Sequence, residues 1–449
     1  MSPSVSIRFD ASVDLAWTAP IEHAFRLWAA TRELRVVDPA HATDAAFVYG
    51  GDALDALPAT NRRTARPSRH GGLPWYFGGD NEDHLAEIHA WAAALSEVHA
   101  ARDDLGRVCR NGSMAAVLGV DPAVPWAERH LDAFDRVVLA RHPGLAAALD
   151  RRARSVTVLG SHDIDFLPTR RPEIARRLFR NVGVATLGQH DPRLAGSIIA
   201  AAASHLITRL PVLGGIAAVA EMERRHGIVS TWNVIVRRRH ARDAEYSFED
   251  PVVRRALDGL ARAGHEIGLH ASYTSASTPG AIAEEMTELR NAGHPATGTR
   301  QHWLRHGGAE LYQEVAKAGA LYDSSFGWSD GCGFRHGLAR PFVPFDTSTG
   351  APATVVEVPL VIMDVALSEE VGRGADGASR SSGILDQAAA HGGTVSILWH
   401  DTTVSDTQIR RGVGPLYERL LARGDEWSTS AAAVRRDLPA WQAAGFVVG

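Results

Sequence analysis

Residues 156–165 read VTVLGSHDID, and this stretch decides how the rest of the chain is read. An apolar run from Val156 to Gly160 stops abruptly in Ser161, His162, Asp163, Ile164 and Asp165. β-Branched residues favour an extended chain, and alternate side chains of a strand share a face. Asp163 and Asp165 therefore point the same way. Two carboxylates that close repel each other unless a positive charge lies between them or one is protonated. The stretch is either a cation site with an adjoining base or only a polar loop.

From Ser155 onward, short apolar strands alternate with helical segments. The strand-like stretches are GIVSTWNVIV, HEIGLH, LYDSS, TVVEVPLVIMD and TVSILWHD. Between them lie the helical patterns RPEIARRLF, GIAAVAEMERRH, PVVRRALDGLARAG, GAELYQEVAKAG and GILDQAAAHGG. Such alternation predicts a parallel sheet. The number of units suits a complete or distorted (β/α) barrel over residues 151–449, with a doubly wound open sheet as the alternative. Residues 1–150 predict a separate N-terminal α/β domain. There VSIRFD and DAAFVYGG look like strands, and HLAEIHAWAAALSEVHAARDDLG reads as one amphipathic helix.

In a barrel, chemistry collects at the C-terminal ends of the strands. Those ends carry Asp163 and Asp165, then His270 followed by Tyr273 and Thr274, then Arg300 and His302, then Asp323 with Trp328 nearby, and last His400 and Asp401. Repeated carboxylates and histidines at one rim suit a divalent cation of zinc type. Such an ion takes Asp oxygen and His nitrogen and keeps a position for water. A free carboxylate could then act as base, an Arg could keep it ionised, and a second His could act as acid. This is a set for metal-assisted hydrolysis of an amide or ester. His162 reads as a hydrogen-bonded structural residue, Trp399 as core, His336 as a residue of a polar loop, and Asp401 as a partner for His400 or a turn cap.

The bulk composition narrows the classes. Of 449 residues, 45% are hydrophobic and 22% charged, as in an ordinary globular protein. A formal net charge of −5 argues against a nucleic-acid binder, and acids lie close in sequence to local clusters such as Arg237-Arg238-Arg239. The two cysteines, Cys109 and Cys332, exclude a thiol-based metal site, whereas 21 histidines supply nitrogen ligands. No signal peptide is visible at the N-terminus. The most apolar stretch, residues 195–207, has the length of one short helix and is too short to span a bilayer. The expectation is a soluble, cytoplasmic protein without membrane or nucleic-acid partners.

Five motifs in order, SHDID, GHEIGLH, GTRQH, YDSSFGW and ILWHD, resemble those of the polysaccharide deacetylase superfamily of carbohydrate esterases. The closer likeness is to a bacterial branch with a "HDVD" motif and an extra N-terminal domain. The resemblance covers roughly residues 155–405 strongly and 1–150 weakly. It implies a (β/α)7-type barrel and metal-dependent removal of an N-acetyl group from an N-acetylated sugar or glycoside. It implies Asp163 as general base, Arg300 as the arginine that orients it, His270 as a metal ligand, His400 as general acid and His265 as structural. Two positions depart from the family. Ile164 stands where the metal-binding aspartate is usual, and Thr274 stands where a second histidine is usual. The expected ligand set is therefore Asp165, His270 and His302, holding Zn2+, with Tyr273, Asp323 and Trp328 shaping the substrate pocket. Two other readings stay open: a related amidohydrolase on a non-sugar amide, and a non-catalytic relative with a decayed metal site. The N-terminal domain could cover the barrel mouth, bind substrate or form a homodimer contact.

Overall fold

A computed structural model describes all residues except 1, 52–55, 60–64, 80–81, 151–154, 166–170, 189, 191, 194, 197, 201–202, 204–214, 245, 307, 405–412 and 449. The chain opens with a small parallel sheet of β1 (Ser4–Phe9), β2 (Arg35–Val36) and β3 (Ala45–Tyr49), in the order β2-β1-β3. The helix Leu15–Thr31 connects β1 to β2. A hairpin of β4 (Ser68–His70) and β5 (Leu73–Trp75) follows, then the helices His84–Ala92 and Trp126–Arg141. The single amphipathic helix expected from residue 84 onward is shorter. Every residue from His84 to Ala92 is buried, so this helix has no solvent face. It ends where Ala94 turns left-handed with φ 47°, and Leu95–Glu97 forms a separate 3-10 turn.

The second sheet is the barrel. Its strands are β6 (Thr157–Ile164), β7 (Thr231–Val234), β8 (Glu266–Ala271), β9 (Gly298–Gln301), β10 (Tyr322–Asp323), β13 (Val356–Glu357), β14 (Leu360–Met363) and β15 (Thr394–Leu398). A short hairpin of β11 (Phe345–Asp346) and β12 (Ala351–Pro352) interrupts the run. All the barrel pairings are parallel, in the order β13-β10-β9-β8-β7-β6-β15-β14. The two ends of that order, β13 and β14, are separated in sequence only by Val358 and Pro359. They form one interrupted strand, whose first half pairs with β10 and whose second half pairs with β15. The sheet thus curls back on itself with seven strand positions, as expected for a distorted (β/α)7 barrel. Pro359 suits the break, because it donates no backbone hydrogen bond. A last strand, β16 (Glu426–Ser428), pairs with the first residues of β6, while β7 pairs only with the later ones.

Burial follows from this layout. β6, β7, β9, β14 and β15 are buried along their whole length, as strands covered on both faces should be. The helices Pro251–Arg262, Glu310–Lys317 and Gly377–Ala389 follow the expected alternation, and Ala281–Asn291 adds a helix that was not among those expected. The apolar stretch 195–207 lies largely outside the described residues. The boundary expected near residue 150 falls beside residues 151–154, which also lie outside them. Among the described residues, no helix is long and apolar enough to cross a membrane.

The N-terminal unit shares a core with the barrel. Trp28, Tyr49, Trp91 and Phe134 pack in one apolar cluster with Tyr322, Phe342, Val358 and Trp441. Ion pairs reinforce this contact, two of them with little exposure. Arg335 donates to both carboxylate oxygens of Glu97, at 2.6–3.2 Å, with side chains only 4% and 6% exposed. Arg340 holds the fully buried Glu128 at 2.8 and 3.0 Å. Removing one partner of a buried pair strands the other charge. Glu97→Ala should therefore destabilise the chain by roughly 3–5 kcal/mol. The shift of the denaturant midpoint against wild type measures this.

Candidate metal and catalytic centre

The pleat of β6 explains the SHDID spacing. His162 and Ile164 face away from the barrel interior. Ile164 is 1% exposed and packs in the same apolar cluster as Trp232 and Val234. His162 packs at a tilt against Trp232, with ring centroids 4.3 Å apart, and bonds Glu223 Oε1 at 3.0 Å and the Trp399 carbonyl at 2.6 Å. His265 of GHEIG faces the same Glu223 and accepts from Ser230 N at 3.1 Å through Nδ1. Asp163 and Asp165 face the opposite way, into a cavity of about 450 Å³ at the C-terminal rim of the barrel. His270, His302 and His400 line the same cavity.

The repulsion between the two carboxylates is met by an imidazole. His270 Nε2 stands 3.7 Å from Asp163 Oδ2 and 3.4 Å from Asp165 Oδ1. Burial disfavours a charge on His270, but the two carboxylates outweigh it and hold its pKa above the ordinary value. Burial likewise opposes ionisation of Asp165. His270, His302 and His400 overcome this and keep Asp165 well below the usual carboxylate range.

Asp163 is held as an anion by groups beneath it. Asn233 Nδ2 donates to its Oδ1 at 2.9 Å, and Arg300 Nη1 lies 3.5 Å from the same oxygen. Burial raises its pKa, and His270, Arg300 and His400 together pull it below the ordinary value. Arg300 is 0% exposed and runs through the barrel interior. It is fixed by Ser161 Oγ at 2.9 Å, the Ser324 carbonyl at 3.1 Å and Ser396 Oγ at 3.4 Å. The second glycine of GHEIGLH, Gly268, has a role here. A Cβ on Gly268 would stand 2.4 Å from Asn233 Oδ1, so only glycine leaves Asn233 its place beside Asp163.

Asp165, His270 and His302 each present one donor atom, all within 4.8 Å of one another. Both imidazoles have the correct tautomer imposed from behind. His270 Nδ1 donates to the Arg300 carbonyl at 3.0 Å, and His302 Nδ1 donates to Asp243 Oδ1 at 3.2 Å. Both turn Nε2, the nitrogen a metal ion would take in place of a proton, toward Asp165, the pattern by which outer partners orient metal-binding histidines. His302 Nε2 lies 3.5 Å from Asp165 Oδ1. That oxygen is shielded from solvent and meets no partner in hydrogen-bond geometry. In a tetrahedral zinc site with bonds of about 2.0–2.1 Å, neighbouring donors stand roughly 3.3 Å apart. Separations of 3.4 and 3.5 Å match that spacing, so these residues fit a divalent cation.

His400 faces this group from the other side, its Nε2 3.6 Å from Asp165 Oδ2. Its Nδ1 donates to Asp364 Oδ1 at 2.7 Å, and its backbone N–H donates to Asp364 Oδ2 at 3.0 Å. Burial opposes protonation of His400. Asp364, with smaller help from Asp165 and Asp163, raises its pKa to about 9.

Asp364, at the end of β14, thus takes one of the two roles expected for Asp401, that of orienting His400. Nothing local in the sequence marks Asn233 or Asp243 as part of this site. The VIMD stretch carried a signal for Asp364, since it too ends a strand in a carboxylate. Trp303 also belongs to the site without a local signal in the sequence. It is 41% exposed and lines the cavity with Leu304, Met363, Val365 and Leu398.

The expected substrate residues are placed differently. Tyr273 does not line the cavity; it stacks on His240 at 4.5 Å and lies under Arg305 at 4.2 Å. Asp323 is fully buried, bound to Thr299 and Ser325. It adjoins His306 and Glu357 in a second cluster of potential donors. There His306 Nδ1 accepts from Gly308 N at 3.2 Å, so its Nε2 carries the proton and offers no lone pair. Trp328 lines a smaller cavity of about 160 Å³, which shares Arg107, Leu304, Ser329 and Asp330 with the larger one. His336, expected in a polar loop, is 4% exposed and bonds the Trp91 carbonyl at 3.2 Å.

No protein-family model and no curated protein matches the chain. Solved structures similar to it include one named as a polysaccharide deacetylase from Mycobacterium smegmatis. That pair shares 14% identity over 65% of this chain and 93% of the other, with a TM-score of 0.40. Puue allantoinase shares 15% identity over 66% and 92%, with a TM-score of 0.40. A structure named as a polysaccharide deacetylase from Pseudomonas aeruginosa PAO1 shares 14% over 63% and 90%, with a TM-score of 0.36.

The donor set predicts binding of one divalent cation per chain. His302→Ala should weaken that binding by about tenfold or more, because it deletes one of three protein donors. Metal content after dialysis against a chelator of graded strength measures the effect. Unchanged stoichiometry and affinity would remove His302 from the centre.

Proposed function

We propose that the protein is a metal-dependent hydrolase that removes an N-acetyl group from an amino-sugar substrate. The observation that carries this reading is the opposition of two differently prepared groups across one cation-binding set. Asp163 is held ionised by Arg300 and Asn233, and His400 is held protonated by Asp364. Sites that tune two titratable groups apart in this way divide the roles of base and acid.

Asp165, His270 and His302 would hold the ion, Zn2+ by the chemistry of the donors. When bound, such an ion polarises a carbonyl and lowers the pKa of water. Asp163 takes the proton from the attacking water, and Arg300 and Asn233 keep its carboxylate aimed and charged. His400 Nε2–H delivers a proton to the amide nitrogen as the C–N bond breaks. Asp364 holds the opposite ring nitrogen, so the imidazole keeps its orientation while it gives up the proton. Acetate and a free amine are the products. The cavity of about 450 Å³ lies within the size range of small-ligand sites. Its apolar wall of Leu304, Met363, Val365 and Leu398, with the exposed Trp303 ring, suits the methyl group and the face of a sugar. The resemblance of the five motifs to polysaccharide deacetylases supports the same substrate class.

Acetate release from a panel of N-acetylhexosamines and their glycosides tests the reading. Wild type should release acetate, and Asp163→Asn should lose activity by at least about 100-fold, the usual contribution of a positioned base. Asp364→Asn should lower kcat with metal content unchanged, since it touches His400 and none of the three donors. A metal-loaded protein that releases no acetate from any member of the panel would overturn the N-acetyl-sugar assignment.

A further inference from the structure

The segment that carries His302 is bent in an unusual way. Directly after His302, Trp303 and Leu304 both adopt left-handed backbone, with φ of 63° and 51°. Bulky residues avoid this region, because their Cβ crowds the neighbouring carbonyl. Two in succession persist only where surrounding structure holds them. β9 ends at Gln301, so the bend is what turns the chain at the rim after His302 has been set against Asp165.

The barrel holds the bend on one side, where Trp303 Nε1 donates to the Arg242 carbonyl at 3.4 Å and Arg305 Nη1 donates to the Tyr273 carbonyl; the N-terminal unit holds it on the other. Arg107 Nη1 donates to the Trp303 carbonyl at 3.4 Å, and Arg102 Nη1 donates to the His306 carbonyl at 3.3 Å. In return, Arg305 Nε donates to the Leu105 carbonyl at 2.8 Å. The loop is itself stiffened. Asp103 accepts from Arg107 Nε at 2.8 Å and from the backbone N–H groups of Leu105 and Arg107 at 3.0 and 2.9 Å. Arg102 also ties back to the Gly106 carbonyl at 2.9 Å. Arg107 lines the catalytic cavity, so the loop reaches the rim itself. It is anchored to the barrel nearby by the Glu97–Arg335 pair.

We propose that the loop Ala101–Arg107 of the N-terminal unit is a positioning element of the metal centre: Arg107 and Arg102 hold the left-handed bend at Trp303–Leu304 and thereby fix His302 as a donor. This rests on His302 belonging to the centre, as argued above. On this view Arg107 is a positioning residue. It acts on the metal through the backbone that follows His302, and it does so before any substrate arrives.

Zn2+ affinity of the full-length protein tests this without substrate, by competition with a chromogenic chelator. The absorption spectrum of the Co2+-loaded protein is a second readout. Arg107→Ala should weaken Zn2+ binding on the order of tenfold and alter the Co2+ spectrum, the size expected for loss of an outer partner of a ligand. Trp303→Gly in the Arg107→Ala background should recover most of the lost affinity, because glycine enters the left-handed region without a clamp. A merely structural role of Arg107 would not produce that rescue. Arg107→Ala binding Zn2+ as wild type does, or the double variant binding as weakly as Arg107→Ala, would overturn the proposal. His302→Ala separates the two levels. Lost affinity in His302→Ala beside normal affinity in Arg107→Ala sinks only the clamp. Normal affinity in both sinks the assignment of the centre as well.

Discussion

Two carboxylates two residues apart on one strand, turned into the mouth of a barrel, set the electrostatic constraint on which the site depends. Asp163 and Asp165 cannot both stay ionised in a partly desolvated cavity unless positive charge is supplied around them. The barrel supplies it from several strand ends. His270 touches both carboxylates, His400 flanks Asp165, and Arg300 lies under Asp163. The same arrangement that makes the pair tolerable also separates its members. Asp163 is tied down by Arg300 and Asn233, whereas Asp165 Oδ1 is left with no hydrogen bond and two imidazole nitrogens facing it.

A second tier of residues gives each member its chemical character. Three imidazoles line the cavity, and what lies behind each ring distinguishes them. A backbone carbonyl stands behind His270, and a carboxylate stands behind His302 and behind His400. The Asp364 carboxylate takes two hydrogen bonds from His400, through ring and backbone, and a third from the Thr403 hydroxyl. Asp243 is similarly shared, accepting from His302 and from the backbone of Tyr273, Arg239 and His240. These partners fix ring orientation and tautomer, which is where the precision of such a site resides. On the proposed reading, the donor absent at Thr274 would be offered by His302 from the next strand, and the carboxylate absent at Ile164 by Asp165, on the same face as Asp163.

The N-terminal unit belongs to this physics as well. It shares an apolar cluster with the barrel and is joined to it by two ion pairs of low exposure. Its Ala101–Arg107 loop meets the rim where Trp303 and Leu304 are held in left-handed backbone. The sequence offers little trace of this. The ARDDLGR stretch looks like an ordinary polar turn after a helix, and nothing local marks Arg107 as a partner of a carbonyl almost two hundred residues away.

What the sequence by itself determined are the features governed by local period. Alternation along 156–165 put Asp163 and Asp165 on one face and Ile164 on the other, because side chains of a strand repeat every two residues. Alternation of strands and helices made the barrel legible, and the barrel located the polar strand ends at one rim. Tertiary structure decided which of those ends meet, and which buried groups stand behind them. Asp364 serves His400 from 36 residues away, Asp243 serves His302 from 59, and Asn233 serves Asp163 from 70. Asp323 has the same signature as the true rim residues, yet it is buried against Thr299 and Ser325. No periodicity within one strand carries that information. The distance between side chains on different strands is set by sheet order, register and closure, and those exist only once the chain has folded.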